Sequence, residues 1–388
     1  MVGKKGSGNY SHDYKSAIID VGLDENAYRA YTGFTHFFVV SEGYVHGFDK
    51  PDMLGLISHG GQCLEHYELG AGYPVDVFIL LMHDEQGRCN VDDLITSLDW
   101  CKREGIALIS LSMGTTQYSD ARKIAESIRR IGESGICLIA GANNGRLLSF
   151  PACLPECIGV GVDYSQTLSE NSFAVVENAY DGIDVYLSPN IHEGRLIDST
   201  SMATAYFAGL TSKAISNGDA STGSVKKWLS SYKRDIQATE LFSYLNATVI
   251  KEYEEDILFV AVQGLSSNES TYADSLKMQR YFLDAEYLCA IVHPDDSLIR
   301  ETSFERFEFK RPCSIQCDYA SYVKLIVQLC HPSLVLIDST NIKGELGMVA
   351  HALFDKVRSD DSAVLLNVDY SLHAPYEAFS KIVEVYAK

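Results

Sequence analysis

Four residues spread widely along the chain have the chemistry for covalent attack on a carbonyl: Asp20, His59, Asn143 and Ser201. A serine hydroxyl is a weak nucleophile at neutral pH and needs a base such as histidine to take its proton as it attacks. An aspartate behind that histidine fixes its tautomer and stabilises the imidazolium that forms. The tetrahedral intermediate carries an oxyanion, for which an asparagine amide and the serine's own backbone N–H are suitable donors. Ser201 stands in "DSTSMATAYFAGLTSKA", residues 198–214, where three hydroxyl side chains precede an alanine-rich stretch. A helix start favours negative charge, which suits a cap and a nucleophile equally. Each of the four also has an ordinary use: Ser201 as a cap, Asp20 as a strand-end turn residue, Asn143 as a turn former in "NNG", and His59 as one surface histidine among eleven.

The elements that must position these residues alternate. Apolar runs at 16–22, 75–83, 105–114, 135–143 and 157–162 read as buried strands. Between them "NVDDLITSLDWCKREG" and "SDARKIAESIRRIGESG" repeat apolar residues at helical spacing, the first with Asn90 as its cap. Strands alternating with helices predict a parallel sheet covered on both faces, with functional groups at the carboxyl ends of the strands. Asp20 and Asn143 fall at such ends, His59 opens the segment after "GLIS", and Ser201 opens the late helix.

Composition bounds the rest. At 388 residues, two domains are expected. The net charge of -20 argues against nucleic acid or anionic membrane as partners and mildly for a cationic peptide. Ten irregularly spaced cysteines read as buried thiols, and "CLPEC" and "CSIQC" lack the spacing and paired histidines of a zinc site, so no metal and no cofactor are expected. No apolar run of roughly 18 residues and no secretion signal are seen, which predicts a cytosolic protein. His66 and His83 are read as structural.

The ordered motifs resemble those of the subtilisin-like serine proteases, the subtilases. "AIIDVGLD" is similar to the family's strand ending in the catalytic aspartate, and "SHGGQCLEH" to its histidine motif. "IAGANNG" resembles the oxyanion motif, and "STSMATAYFAG" the nucleophile motif. "ISLSMG" resembles the strand whose edge pairs with substrate. The resemblance covers roughly residues 14–240 and implies a subtilisin-like parallel sheet, an Asp20–His59–Ser201 triad and Asn143 as the oxyanion donor. It also implies substrate contacts at Ser110, Ser112, Gly114 and Ala142. Departures fall around the site: Ser199 replaces a glycine, Ala205 a proline and Ala142 a glycine. Gly61, Gln62, Leu64 and Glu65 replace Thr, His, Ala and Gly in the histidine motif. Only about nineteen residues precede Asp20, so no inhibitory pro-segment is expected.

These features predict a peptidase domain over 1–250 that hydrolyses peptide bonds in a peptide or protein, with removal of a leader from a ribosomally made precursor as the finer expectation. An inactive binding module and a general protein-turnover protease are the alternatives. From about 253 the alternation restarts, predicting a second α/β domain over 251–388 for substrate docking or self-association. Its loop "GLSSNEST" has the length of a phosphate-binding loop, and "LVLID" ends at Asp338 as the metal-side strand of such folds does. Glu269 and Ser270 stand where Gly-Lys is required, which predicts a degenerate P-loop unit without nucleotide, its helix-start donors satisfied by Glu269.

Overall fold

The computed structural model describes residues 15–32, 35–48, 58–72, 77–82, 89–145, 147–176, 179, 181–191, 194–215, 220–232, 257–262, 265, 267–294, 302–311, 319–338, 365–368 and 374–386. His83, the "CSIQC" cysteines and the bridging stretch at 233–256 lie outside the described residues.

The amino-terminal part begins with β1 (Lys15–Asp20), α1 (Glu25–Tyr31), β2 (Thr35–Ser41), β3 (Tyr44–Gly47) and α2 (His59–Ala71). It continues through β4 (Val77–Met82), α3 (Val91–Arg103), β5 (Ile106–Leu111), α4 (Tyr118–Glu133), β6 (Cys137–Gly141) and β7 (Ile158–Val162). Three short strands, β8 (Phe173–Val175), β9 (Val185–Leu187) and β10 (Asn190–Ile191), lead to β11 (Arg195–Leu196), α5 (Thr200–Ala214) and α6 (Thr222–Leu229). Nine strands form one sheet in the order β3-β2-β4-β1-β5-β6-β7-β9-β8, parallel except for the two edge strands. The α/β class with a parallel sheet and helices on both faces is the one expected. The β2–β3 hairpin was not read from sequence. Its turn holds Glu42 and Gly43 at positive φ, so "SEG" makes the reversal that an Asn-Gly pair usually signals.

Alternation along each strand sorts the core. Ile18, Leu108 and Ile139 face α2 and α5, while Ala17, Ile19, Ile109, Leu138 and Ala140 face α3 and α4. Asp20 shares the parity of Ile18 and so turns toward α2. β1 is also where the connections change direction: β4 lies on one side of it and β5 on the other. A parallel sheet opens a crevice at the carboxyl end of such a strand.

The second part contains β12 (Leu258–Val262), α7 (Glu269–Asp284), β13 (Cys289–His293), β14 (Glu308–Lys310), α8 (Tyr319–Cys330), β15 (Leu334–Asp338), β16 (Leu365–Val368) and α9 (Pro375–Tyr386). Its five strands form a separate parallel sheet ordered β14-β13-β15-β12-β16. Asp338 ends β15 and is buried. The helix-start donors of α7 are satisfied by Asn268, whose Oδ1 accepts from Ser270 N at 2.9 Å and Thr271 N at 3.2 Å, while Glu269 is exposed. That assignment to Glu269 is therefore corrected: the preceding Asn reaches back over the first turn as an N-cap, which the first helical residue cannot do. The two sheets share one apolar cluster, in which Phe150 and Tyr118 meet Phe307 edge to face. Seven of the eight described cysteines are buried, and none is in a disulfide. No helix among the described residues is long and apolar enough to cross a membrane.

α2 and α5 pack at glycines. A Cβ on Gly70 would lie 2.0 Å from the Tyr206 carbonyl oxygen, and one on Gly209 2.1 Å from the Tyr67 carbonyl oxygen and 2.7 Å from Ala71 N. The obstacle is backbone, so the helices themselves must separate. Gly209→Ala gains about 1 kcal/mol of helix propensity but loses more to overpacking, which costs about 1–3 kcal/mol where side chains can still adjust. Denaturant melts are expected to find Gly209→Ala less stable than wild type by at least about 1 kcal/mol. Gly223→Ala, in α6 with nothing within 4 Å of the new methyl, is expected to be neutral or stabilising. Equal melts for the two variants would contradict the packing argument.

Candidate active site

Asp20 ends β1 fully buried, and His59 opens α2 beside it. Gly60 allows the approach: its N–H bonds the carbonyls of Val21 and Gly22 at 2.9 Å, and a Cβ there would lie 2.9 Å from the Gly22 oxygen. The helix start thus docks directly on the strand exit. His59 Nδ1 lies 2.5 Å from Asp20 Oδ1, which also accepts from Val21 N at 2.6 Å. Asp20 Oδ2 accepts from Ser112 Oγ at 2.6 Å.

The three hydroxyls at the start of α5 do three different jobs. Ser199 is the cap, its Oγ accepting from Met202 N. Thr200 Oγ1 donates to the Ala142 carbonyl at 2.6 Å, tying the helix to the end of β6. Ser201, almost fully buried, donates from Oγ to the Ser112 carbonyl at 3.2 Å. Ser112 therefore touches both Asp20 and Ser201. The described hydrogen bonds do not include one from Ser201 to His59.

Asn143 follows β6 and is half-buried. Its Oδ1 accepts from Gly145 N at 2.7 Å, an Asx turn that leaves the side-chain NH2 as a donor. Its neighbour Asn144 was not singled out from sequence, because "NNG" reads as one turn. Asn144 Oδ1 accepts from Thr200 N at 2.9 Å, which fixes the Asn143 loop against the start of α5. Ala142 is engaged on both backbone sides, its N–H donating to Val160 at 2.8 Å. Gly114 is exposed, and its α-carbon sits against the Phe150 carbonyl, where a Cβ would come within 2.5 Å. Ser110 is fully buried within β5, its backbone paired with Ile18 and Ile139, so it lies inside the sheet and away from any surface a substrate reaches.

Cys63, one helical turn after His59, was also missed. Asp20, His59 and Cys63 each bring one polar atom within 4.8 Å of the others. Burial first, then the neighbouring Asp20 charge, pushes the Cys63 thiol well above its ordinary range, so it stays protonated. His59 Nδ1 and Asp20 Oδ1 already bond each other, so an ion among the three would have to displace that contact. His66 is buried, and its Nδ1 bonds the Gln62 carbonyl, a structural contact.

No family model matches the sequence. The chain is 22% identical over 202 residues to the minor extracellular protease Epr of Bacillus subtilis (strain 168), covering 50% of this chain and 29% of that protein. It is 25% identical over 157 residues to subtilisin DY of Bacillus licheniformis, covering 38% of this chain and 57% of that one. To an intracellular serine protease of Paenibacillus polymyxa it is 24% identical over 193 residues, covering 47% and 55%. The matched part of the chain thus spans from 29% to 57% of each relative's length. Among solved structures, a lanthipeptide protease aligns with a TM-score of 0.42 at 15% identity, covering 55% of this chain and 78% of that one. A cold-adapted subtilisin-like serine proteinase aligns at 0.41 and 18%, covering 57% and 85%.

The hydrogen bond to Asp20 is the main cause raising the His59 pKa, opposed by burial and assisted by the charges of Asp20 and Asp198. A raised value in the folded state means that the charged pair stabilises the fold below the ordinary histidine value of about 6.5, and that this contribution is lost as pH rises through the folded value. NMR titration of His59 is expected to give a midpoint above 6.5, the ordinary value. Asp20→Asn should move it down. A midpoint unaffected by Asp20→Asn would show that the pair is not the cause.

Proposed function

We propose that this chain is a serine endopeptidase in which Ser201 attacks the scissile carbonyl, His59 is the general base and acid, Asp20 orients His59, and Asn143 stabilises the oxyanion. One observation carries the reading: His59, Asp20, Ser112 and Ser201 lie on one connected run of hydrogen bonds at the carboxyl end of β1. Similarity to proteins named as serine proteases supports the class. In the reaction, the Ser201 hydroxyl turns from the Ser112 carbonyl toward His59 Nε2, which takes its proton as Oγ bonds the carbonyl carbon. The oxyanion is met by Ser201 N–H and the Asn143 side-chain NH2, which the Gly145 contact at the other amide atom keeps directed. Collapse expels the amine with the proton from His59, and water repeats the sequence on the acyl-enzyme.

The finer reading is selective cleavage of a peptide precursor inside the cell, with the second sheet contributing to substrate choice. The packing of that sheet directly onto the first supports it. One relative is named an intracellular protease, in keeping with a cytoplasmic location. A second reading, an inactive binding module, has one observation in its favour: the Ser201 hydroxyl donates to Ser112 rather than to His59. Active sites without substrate often hold such contacts long or misaligned, which favours the enzyme.

A fluorophosphonate is expected to label Ser201 in the wild-type chain and to leave Ser201→Ala unlabelled with an unchanged melt. An unlabelled wild type would favour the binding module. Asn143→Ala is expected to lower kcat by about 10² to 10³ with little change in KM, because the amide bonds the oxyanion more strongly than the ground-state carbonyl. A rise in KM alone would remove Asn143 from the oxyanion role.

A further inference from the structure

Where the two sheets meet, a groove of about 300 Å³ runs between α4, α7 and the segment before β14. Arg122, Arg129, Arg280 and Arg306 line it, against Glu126 and Glu305. Such a concentration of arginine is unexpected in a chain with 52 acidic and 32 basic residues. Asp284 sits behind Arg280 at 2.9 Å and Arg122 at 3.6 Å, and buried Glu308 lies 3.2 Å from Arg306. These carboxylates reduce repulsion among the guanidinium groups and hold three of them, while leaving most of their fork of donors free. Arg129 is exposed and has no ion pair among the described residues. The floor is aromatic, formed by Tyr118, Phe150 and Phe307.

Backbone hydrogen bonds tie the groove floor to the segment that leads from the candidate site. Thr115 and Phe150 exchange backbone hydrogen bonds of 2.8 and 2.9 Å directly beside Gly114, and Phe150 forms part of the groove floor. A peptide lying along Ser112–Gly114 would leave that segment onto Tyr118 and the arginines.

We infer that this groove binds an acidic segment of the peptide substrate, carrying carboxylates for the arginines and apolar side chains for the aromatic floor. The inference rests on the peptidase reading for the identity of the ligand. The overall negative charge of the chain opposes it only at a distance, because at physiological salt charges beyond about 8 Å are screened. At contact, the paired donors of arginine meet carboxylates directly. Docking here would place specificity at the junction of the two sheets, remote from the scissile bond.

The test uses the full-length Ser201→Ala protein and fluorescein-labelled peptides of alternating Glu and Leu, Gln and Leu, or Lys and Leu, read by anisotropy. The Glu-Leu peptide is expected to bind tightest, to weaken with salt, and to lose on the order of tenfold or more in affinity with Arg129→Glu/Arg280→Glu. Arg129→Gln, which breaks no internal ion pair, should weaken binding in the same direction, so a folding defect in the double variant does not leave the idea untested. Equal binding of the Glu-Leu and Gln-Leu peptides, or affinity indifferent to both variants, overturns the inference. So does displacement of the Glu-Leu peptide by oligothymidylate at equal concentration, which would assign the arginines to phosphate. Fluorophosphonate labelling of the wild type is read in parallel. Labelling without arginine-dependent binding removes the groove alone, and arginine-dependent binding without labelling supports an acidic-peptide groove while removing the peptidase reading.

Discussion

The arrangement of the candidate site depends on how closely α2 and α5 approach each other. His59 and Ser201 begin these two helices, and Gly70 and Gly209 let the backbones touch where any side chain would meet a carbonyl at about 2 Å. A helix is rigid along its axis, rising 1.5 Å per residue, so this seam, at the last turn of α2 and two thirds of the way along α5, sets how closely the two axes approach. Other close approaches set the ends themselves against the sheet. Gly60 brings α2 onto the exit of β1, and Gly141 brings the end of β6 under α5, where a Cβ would lie 2.9 Å from Thr204 Oγ1. An error of about 1 Å at reacting groups can cost a factor of about 10² in rate, so absent side chains at these points matter as much as the reactive ones.

A second constraint follows from burying Asp20. An unpaired carboxylate in a protein interior costs several kcal/mol even after relaxation. Asp20 offsets this with donors from Val21 N, His59 and Ser112 Oγ, all between 2.5 and 2.6 Å. Loss of any one leaves the remaining charge poorly compensated, which makes the network cooperative. The Cys63 thiol nearby stays neutral and adds no competing negative charge.

What the sequence disclosed was mostly periodic. Long apolar runs and the Asn90 cap marked β1, β4–β7 and α3 to within a few residues, because burial on both faces and capping leave direct patterns. The β2–β3 hairpin was hidden: its turn uses Glu42 where Asn or Asp would normally advertise a positive φ. At the site, the types and order of Asp20, His59, Asn143 and Ser201 were legible, but their partners were not. Ser112 was read only as a substrate contact, and its hydroxyl bonds Asp20, while Asn144 and Cys63 were passed over. Such partners are set by which atoms tertiary packing brings within 3 Å or so, and no local pattern encodes that. Ser110 is the same lesson in reverse, since two positions separate half-buried Ser112, just past the end of β5, from a residue sealed within the strand.

The loop after β6 touches both sheets. Within ten residues it bonds α5 through Ala142 and Asn144, the second sheet's helix α8 through Leu148 N to Leu329 O at 2.8 Å, and Thr115 through Phe150. Phe150 then packs on Phe307, inside the apolar cluster that both sheets share. A close-packed interior transmits displacement rather than absorbing it. A shift of the second sheet therefore acts on the same backbone that holds Asn143 and steadies the start of α5. In that arrangement, one short stretch of backbone joins the surface between the sheets to the start of α5.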